Sequence, residues 1–476
     1  MPNDPDSQIK PPRRRLPLRY VVTIIVALFA LPIVVWLLWG WIEAARLDRA
    51  LDALEARNQP LDIADFDVKP ATREQREASH LYAQAGKLVD DRPIATEKAA
   101  ALSKAIEAAC SQDVEPAIRS EHARVLLQFE DSYQPVFDLL ERASQLDATG
   151  WDDGDRPERR SMQEMRPITL ARVNVVRIAR LACAGDGDAA ARALLASLRL
   201  RRVWIGALIG PIALQTAHSL QSLLTFNTPS SNLLEELQRE YIVAADEKRL
   251  QDRMARERAM WLSYVMPGAF SDAPLGYDTR RMTPLEAVAT RAVRPLRDHR
   301  LVEELNEFDA ALAIAKQPWP GKLDAIAEFG KTHQSQRSQS MRRGLLETLS
   351  RPLGAHMASN ALTGYIGGMT EILARNRAGA TAIAVARYRR DHAERCPETS
   401  QQLIPQYLPA SLMDPYSGGE LKYRCDARGY FVYSVGANRK DDGGTWDQHS
   451  DLQLFRRGNP PDVGVAVKSI STRRSN

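Results

Sequence analysis

The alternation of apolar and polar positions changes character along this chain, and each change predicts a different kind of element. Between Arg19 and Glu43 lie 23 residues without a charged side chain, Tyr20 to Ile42. At about 1.5 Å per residue such a helix reaches about 34 Å, enough to cross a hydrocarbon core of about 30 Å. The pattern therefore predicts a transmembrane helix over 20–42, with a kink at Pro32 that bilayer helices accept. The run is too long for the apolar core of a cleaved signal peptide, and it ends in Trp36, Trp39 and Trp41, rings favoured at headgroup level. Beyond it Leu47, Leu51 and Leu54 recur at steps of four and three, one face of a short stalk helix closed by Asn58-Gln59-Pro60.

From Arg73 to about Arg351 the apolar residues recur at helical spacing. Helices are predicted over 74–89, opened by the capping box Thr72/Gln75, and over 96–110, 114–129, 133–146, 168–184, 188–204 and 233–265. Gly185-Asp186-Gly187 reads as a tight hairpin turn, Pro267 to Pro284 as a loop, and Pro318-Trp319-Pro320-Gly321 as a hard turn. A second apolar stretch, Val203 to Leu220, is interrupted by Gly206, Gly210, Pro211, Gln215 and His218. It is expected to be buried core helix, not a second span.

From about Asn360 the pattern changes again. A long helix over 363–392 precedes Pro397, Pro405 and Pro409. Then Leu421 to Cys425 alternates with period two, Asp426 to Gly429 turns, and Tyr430 to Val435 returns, a hairpin packed on a helix. Leu452 to Phe455 and Val463 to Val467 are further strand candidates. The fold class is thus mainly α: an N-terminal transmembrane helix, an α-helical domain of helical hairpins, and a small α+β module. The expected segments are a basic leash (1–19), the span (20–42), stalk and linker (43–72), helical domain (73–358), α+β module (359–467) and a disordered tail (468–476).

Charge adds orientation. Lys+Arg 64 against Asp+Glu 60 gives +4, an ordinary globular balance that argues against a nucleic-acid partner. Lys10, Arg13, Arg14, Arg15 and Arg19 oppose only Asp4 and Asp6, so most of the excess precedes the span. Arg46, Arg49 and Arg57 follow it. The larger cationic flank predicts a cytoplasmic N-terminus and an exported, periplasmic body at the bacterial inner membrane. The bilayer is then one partner, and an envelope protein is the other expected one.

Candidate chemistry is sparse. The eight histidines show no metal-ligand spacing, and no phosphate loop, nucleophile elbow or His-Glu-x-x-His pattern is present. No enzyme is expected. Four cysteines in an oxidising compartment allow two bridges in three connectivities. Pairing within each part, Cys110 with Cys183 and Cys396 with Cys425, is the economical arrangement. Buried thiols are the alternative.

The segments ARYRRDHAERCPET, LIPQYLPASLMDPYSGGELKY and YFVYSVGANRKDDGG, in that order, carry a resemblance. Tyr388, Pro397, Leu408, Pro409, Asp414, Pro415, Tyr423, Tyr433, Ser434, Gly436 and Ala437 match positions of the major pseudopilin of type II secretion systems. The likeness covers about 380–467, and the whole chain also resembles single-pass bacterial envelope proteins. It implies a helix packed on a hairpin and, in the loop after Ser-x-Gly-Ala, a calcium site. Here that site would comprise Asn438, which stands where the family has aspartate, with Asp441, Asp442, Asp447 and Asp451, hard oxygens of the kind calcium prefers. The prepilin-processing sequence Gly-Phe-Thr-Leu-x-Glu is absent before the span, and some 300 residues separate span from module, so a polymerising pilus subunit is not expected. A scaffold or interaction protein is the expectation, with an accessory part in a secretion or pilus-like apparatus as the alternative.

Overall fold

The computed structural model describes residues 18–61, 72–91, 101–102, 104–105, 116–146, 166–203, 209–245, 255, 258–259, 262, 284–340, 357–427, 429–444 and 462–468. Among these the chain is mainly helical, with one three-stranded sheet. The helices are α1 (Leu18–Ala56), α2 (Arg73–Asp90), α3 (Pro116–Ser144), α4 (Arg166–Cys183), α5 (Gly187–Val203), α6 (Ile209–Phe226), α7 (Ser231–Ala244), α8 (Pro284–Ala315), α9 (Gly321–Ser340) and α10 (Met357–Asp391). The strands are β1 (Lys422–Asp426), β2 (Gly429–Ser434) and β3 (Val463–Lys468). The chain divides into two compact units, one formed by 1–61, 262–307 and 340–355, the other by 62–261, 308–339 and 356–476.

In the first unit α1 runs unbroken through Pro32, so the stalk is the last part of the same helix. No helix-breaking residue lies between Ile42 and Ala56, which is why the two merge. Leu47 and Leu54 are buried, and Asn58, in the left-handed region at φ 50°, follows the helix end.

In the second unit, Thr72 and Gln75 close the expected capping box at the start of α2. The buried face of α2, Ala78, Leu81, Tyr82, Ala85 and Val89, shares a core with Phe129, Tyr133, Val136, Phe137 and Leu140 of α3. The pattern had divided α3 into two helices at residues 130–132. One continuous buried stripe crosses that point and holds the helix together despite Pro135 within it. Of the helix expected at 96–110, only residues 101–102 and 104–105 are described, and these are helical. The helix expected over 233–265 ends at Ala244 as α7; most of 246–262 and the loop at 267–283 lie outside the described residues.

The α4–α5 hairpin turns at Gly185, whose φ of 86° needs glycine. Asp186 then caps α5 by accepting the Ala189 N–H at 3.0 Å. The apolar 203–220 stretch supplies α6, whose Ile212, Ala213, Ala217, Leu220 and Leu223 are buried, a core helix as expected.

α10 organises what remains. It packs on α6 and α7 and on β2 and β3, and its residues from Ala378 to Ala386 are buried around the whole circumference. The sheet has the order β1-β2-β3 and is antiparallel throughout, with Tyr423 opposite Val432 and Val432 opposite Val465. Tyr430, Val432, Val465 and Val467 join residues of α4 to α7 and α10 in one continuous core. The candidate strand at 452–455 lies outside the described residues, whereas the candidate at 463–467 is β3.

Small side chains permit this enclosure. A Cβ built on Gly379 would sit 2.9 Å from the Tyr241 ring and 3.2 Å from Leu220. Gly379→Val is expected to lower unfolding stability by about 1–3 kcal/mol through overpacking, measured by chemical denaturation; an unchanged midpoint would mean that α7 can move away freely.

Candidate functional site

Two regions gather polar and ionisable groups: the α1–α8 contact in the first unit and the loop after β2 in the second.

The α1–α8 contact begins where the apolar part of α1 ends. Residues from Val22 to Leu38 with described side chains are mostly exposed, Phe29 73% and Leu37 65% among them. At Gly40 the surroundings change, because a Cβ there would lie 2.8 Å from Pro295 Cγ of α8. Glycine lets the second helix approach closely. One turn on, Glu43 is 2% exposed. Trp39 Nε1 donates to its Oε1 at 3.0 Å, Arg46 Nη1 lies 3.1 Å from the same oxygen, and His299 Nδ1 of α8 lies 3.2 Å from Oε2. The other imidazole nitrogen, Nε2, is 3.4 Å from Glu303 Oε1. Trp39 and His299 are in ring contact at 6.0 Å.

α8 carries two more buried carboxyls. Asp298 lies between Arg294 (3.3 Å) and Arg297 (3.5 Å), and burial, more than those guanidinium groups, sets its pKa above the ordinary carboxylate range. Glu304 is pushed up to about 8 by burial, against the pull of Arg300 at 3.6 Å.

Of the expected anchor residues, Trp41 is outward at 73% exposure, while Trp39 is turned to α8 and meets Trp36 edge to face at 5.2 Å. The Arg19 guanidinium lies over Tyr20. Arg13, Arg14 and Arg15 lie outside the described residues.

The loop after β2 is built around a residue that sequence reasoning had only matched. Asp414 is fully buried. Its Oδ1 accepts from Ser434 Oγ (2.6 Å) and Tyr416 N (2.9 Å), and its Oδ2 from Ser417 Oγ (3.0 Å) and Val435 N (3.1 Å). The Asp-Pro segment is thereby locked to the end of β2. The adjoining acids are held by protein donors. Asp441 Oδ1 accepts from the Tyr433 hydroxyl and the Gly443 N–H, both at 3.0 Å, and Lys422 Nζ stands 3.8 Å from Oδ2. The Gly443 N–H, with Tyr433 and Lys422, sets the Asp441 pKa below the ordinary carboxylate range. Asn438 turns its amide nitrogen to Asp442 at 2.8 Å. Asp462, which the sequence reading did not single out, is buried and accepts the N–H groups of Asp442 and Gly444.

Of the calcium ligands implied by the resemblance, three are engaged by protein groups: the Asn438 amide joins Asp442 and the Lys440 N–H, and Asp441 is held by Tyr433, Gly443 and Lys422. Among the described residues no group of three or more His, Cys, Asp or Glu is gathered as a metal set. Asp447 and Asp451 lie outside the described residues.

Cys396 and Cys425 are at disulfide distance, Cα–Cα 6.4 Å, tying the segment after α10 to β1. A closed loop of 29 residues contributes about 3–4 kcal/mol on the chain-entropy account. Cys183 is also disulfide-bonded, and Cys110 lies outside the described residues. No family model, curated protein or solved structure matches the chain.

Asp414→Ala strands three buried donors, Ser434 Oγ and the N–H groups of Tyr416 and Val435, and is expected to cost on the order of 3 kcal/mol or more, read as a fall in the denaturation midpoint. A carboxyl whose pKa rises from 4.5 to about 8 on folding binds more protons folded than unfolded. Its contribution is therefore complete below about pH 4.5 and is lost as pH rises toward 8. Glu304→Gln should flatten the fall in stability between those limits, with the largest gain on the alkaline side.

Proposed function

We propose that the chain is a single-pass inner-membrane protein whose helical body and small sheet act as a scaffold or interaction surface in the periplasm. The observation that carries this reading is the exposed apolar surface of α1. Leu28, Phe29, Leu31, Ile33, Leu37 and Leu38 all stand more than half exposed, a contiguous patch that water does not tolerate on a monomer. The helix is long and apolar enough to cross a bilayer. The larger cationic flank before it supports a cytoplasmic N-terminus, and the paired cysteines suit an oxidising compartment.

A second reading has its own support. A long helix against a three-stranded antiparallel sheet, with Asp414 bound to Ser434, suits an accessory component of a type II secretion or pilus-like apparatus that acts through residues 380–467.

In bacterial cells the full chain should stay in the membrane pellet after alkaline carbonate extraction, and alkaline phosphatase fused to its C-terminus should be active. A soluble chain or an inactive fusion overturns the proposed topology. Loss of secretion on deletion would favour the second reading over the first.

A further inference from the structure

Glu43, His299 and Glu303 form a line from the edge of the apolar segment to solvent: a buried carboxyl, an imidazole addressed at both nitrogens, and a carboxyl 62% exposed. We propose that this line is a proton-binding site that clasps α8 to α1, closed when His299 carries two ring protons and loosened when it gives one up. Nothing in the scaffold reading requires it, and it stands on the α1–α8 geometry alone.

The chemistry follows from charge. Only the protonated ring is a cation, and it then stands at ion-pair distance from both Glu43 Oε2, 3.2 Å, and Glu303 Oε1, 3.4 Å. The two carboxylates are unequal, because Glu303 can turn to water and Glu43, at 2% exposure, cannot. When the ring is neutral, the buried Glu43 carboxylate keeps the Trp39 N–H and the half-exposed Arg46 guanidinium, but the countercharge supplied by α8 is gone. A buried charge deprived of part of its compensation disfavours the packed state. The Trp39 ring, 6.0 Å from the imidazole, adds an attraction that exists only for the cation.

The charged groups around the imidazole are Glu43 and Arg46 on α1, and Glu303, Arg300, Glu304 and the Asp298 cluster with Arg294 and Arg297 on α8. Asp298 lies by Arg294 and Arg297, and Glu304 lies 3.6 Å from Arg300, while the imidazole brings a charge of α8 to ion-pair distance of an α1 carboxylate. Imidazole is also the side chain that ordinarily changes charge between about pH 5 and 8. The clasp thus responds to acidity at the place where α1 leaves its apolar stretch.

The test is amide hydrogen exchange by mass spectrometry on the full chain in detergent micelles, corrected for intrinsic rates. It is performed in the Glu304→Gln background so that this neighbouring carboxyl does not contribute. Protection over 39–47 and 295–303 should fall about tenfold between about pH 5.5 and pH 8, as the buried Glu43 loses its countercharge on α8. With His299→Gln the same segments should be weakly protected at both pH values, and with His299→Arg strongly at both. Unaltered protection over 378–386 shows in each case that the second unit is folded. A pH response that survives His299→Gln, or no response in the parent, overturns the proposal.

Discussion

A helix buried on every side must satisfy two demands at once, close approach of its neighbours and no stranded polar group, and α10 is where this structure meets both. Its stretch Ala378-Gly379-Ala380-Thr381-Ala382-Ile383-Ala384-Val385-Ala386 lies between α6 and α7 on one side and β2 and β3 on the other. Four alanines and a glycine on the way to Ala384 let those elements come near. The Tyr241 ring takes the space that a side chain at 379 would fill. The Thr381 hydroxyl donates to Arg377 O, and Gln238 of α7 reaches Ala380 O and Tyr407 O, which pairs these polar atoms. Helix α10 joins the sheet to the α4–α7 layer, beside a direct contact of α6 with β3.

Polar residues at the ends of this layer fix its register. The Arg201 guanidinium meets the Asn376 amide oxygen at 3.2 Å, while the Asn376 amide nitrogen donates to Ala244 O at 3.1 Å. At the other end Arg387 pairs with Glu235 and Gln238. Buried groups of this kind are costly when misaligned, so they favour one placement of α10 over slipped alternatives. Asp414 does the same for the sheet, holding the Asp-Pro turn and the end of β2 with one carboxylate. These contacts make the end of the helical layer and the small sheet a single body, which suits a scaffold that must hold a surface in a constant shape.

The first unit uses a different device. There the close approach is made by Gly40 and Pro295, and charge, not hydrocarbon, occupies the buried place one turn beyond. A carboxylate, an imidazole and an indole N–H meet where the exposed apolar surface of α1 stops.

Much of this architecture was legible in the chain. The charge-free run from Tyr20 to Ile42, the capping box at Thr72, the Gly185-Asp186-Gly187 turn and the period-two hairpin each rest on local physics: the length of an apolar segment, a side chain reaching a backbone N–H three residues away, a glycine at positive φ, alternation on a pleated strand. What lay hidden depends on partners distant in sequence. His299 was one of eight histidines without ligand spacing, and only its i+4 relation to Glu303 was visible; the carboxylate at its other nitrogen is 256 positions earlier in the chain. Nothing local marked Asp462, which accepts the N–H groups of Asp442 and Gly444 once β3 is paired with β2. Asn438 and Asp441 read as oxygen ligands, and the fold pairs the Asn438 amide nitrogen with Asp442 and sets Lys422 beside Asp441. Sequence alone determined most of where helices and strands form, since their energies are largely set within a few residues, though burial against α2 made α3 one helix. Which charges meet was decided only by tertiary structure, because burial and pairing are properties of the packed chain.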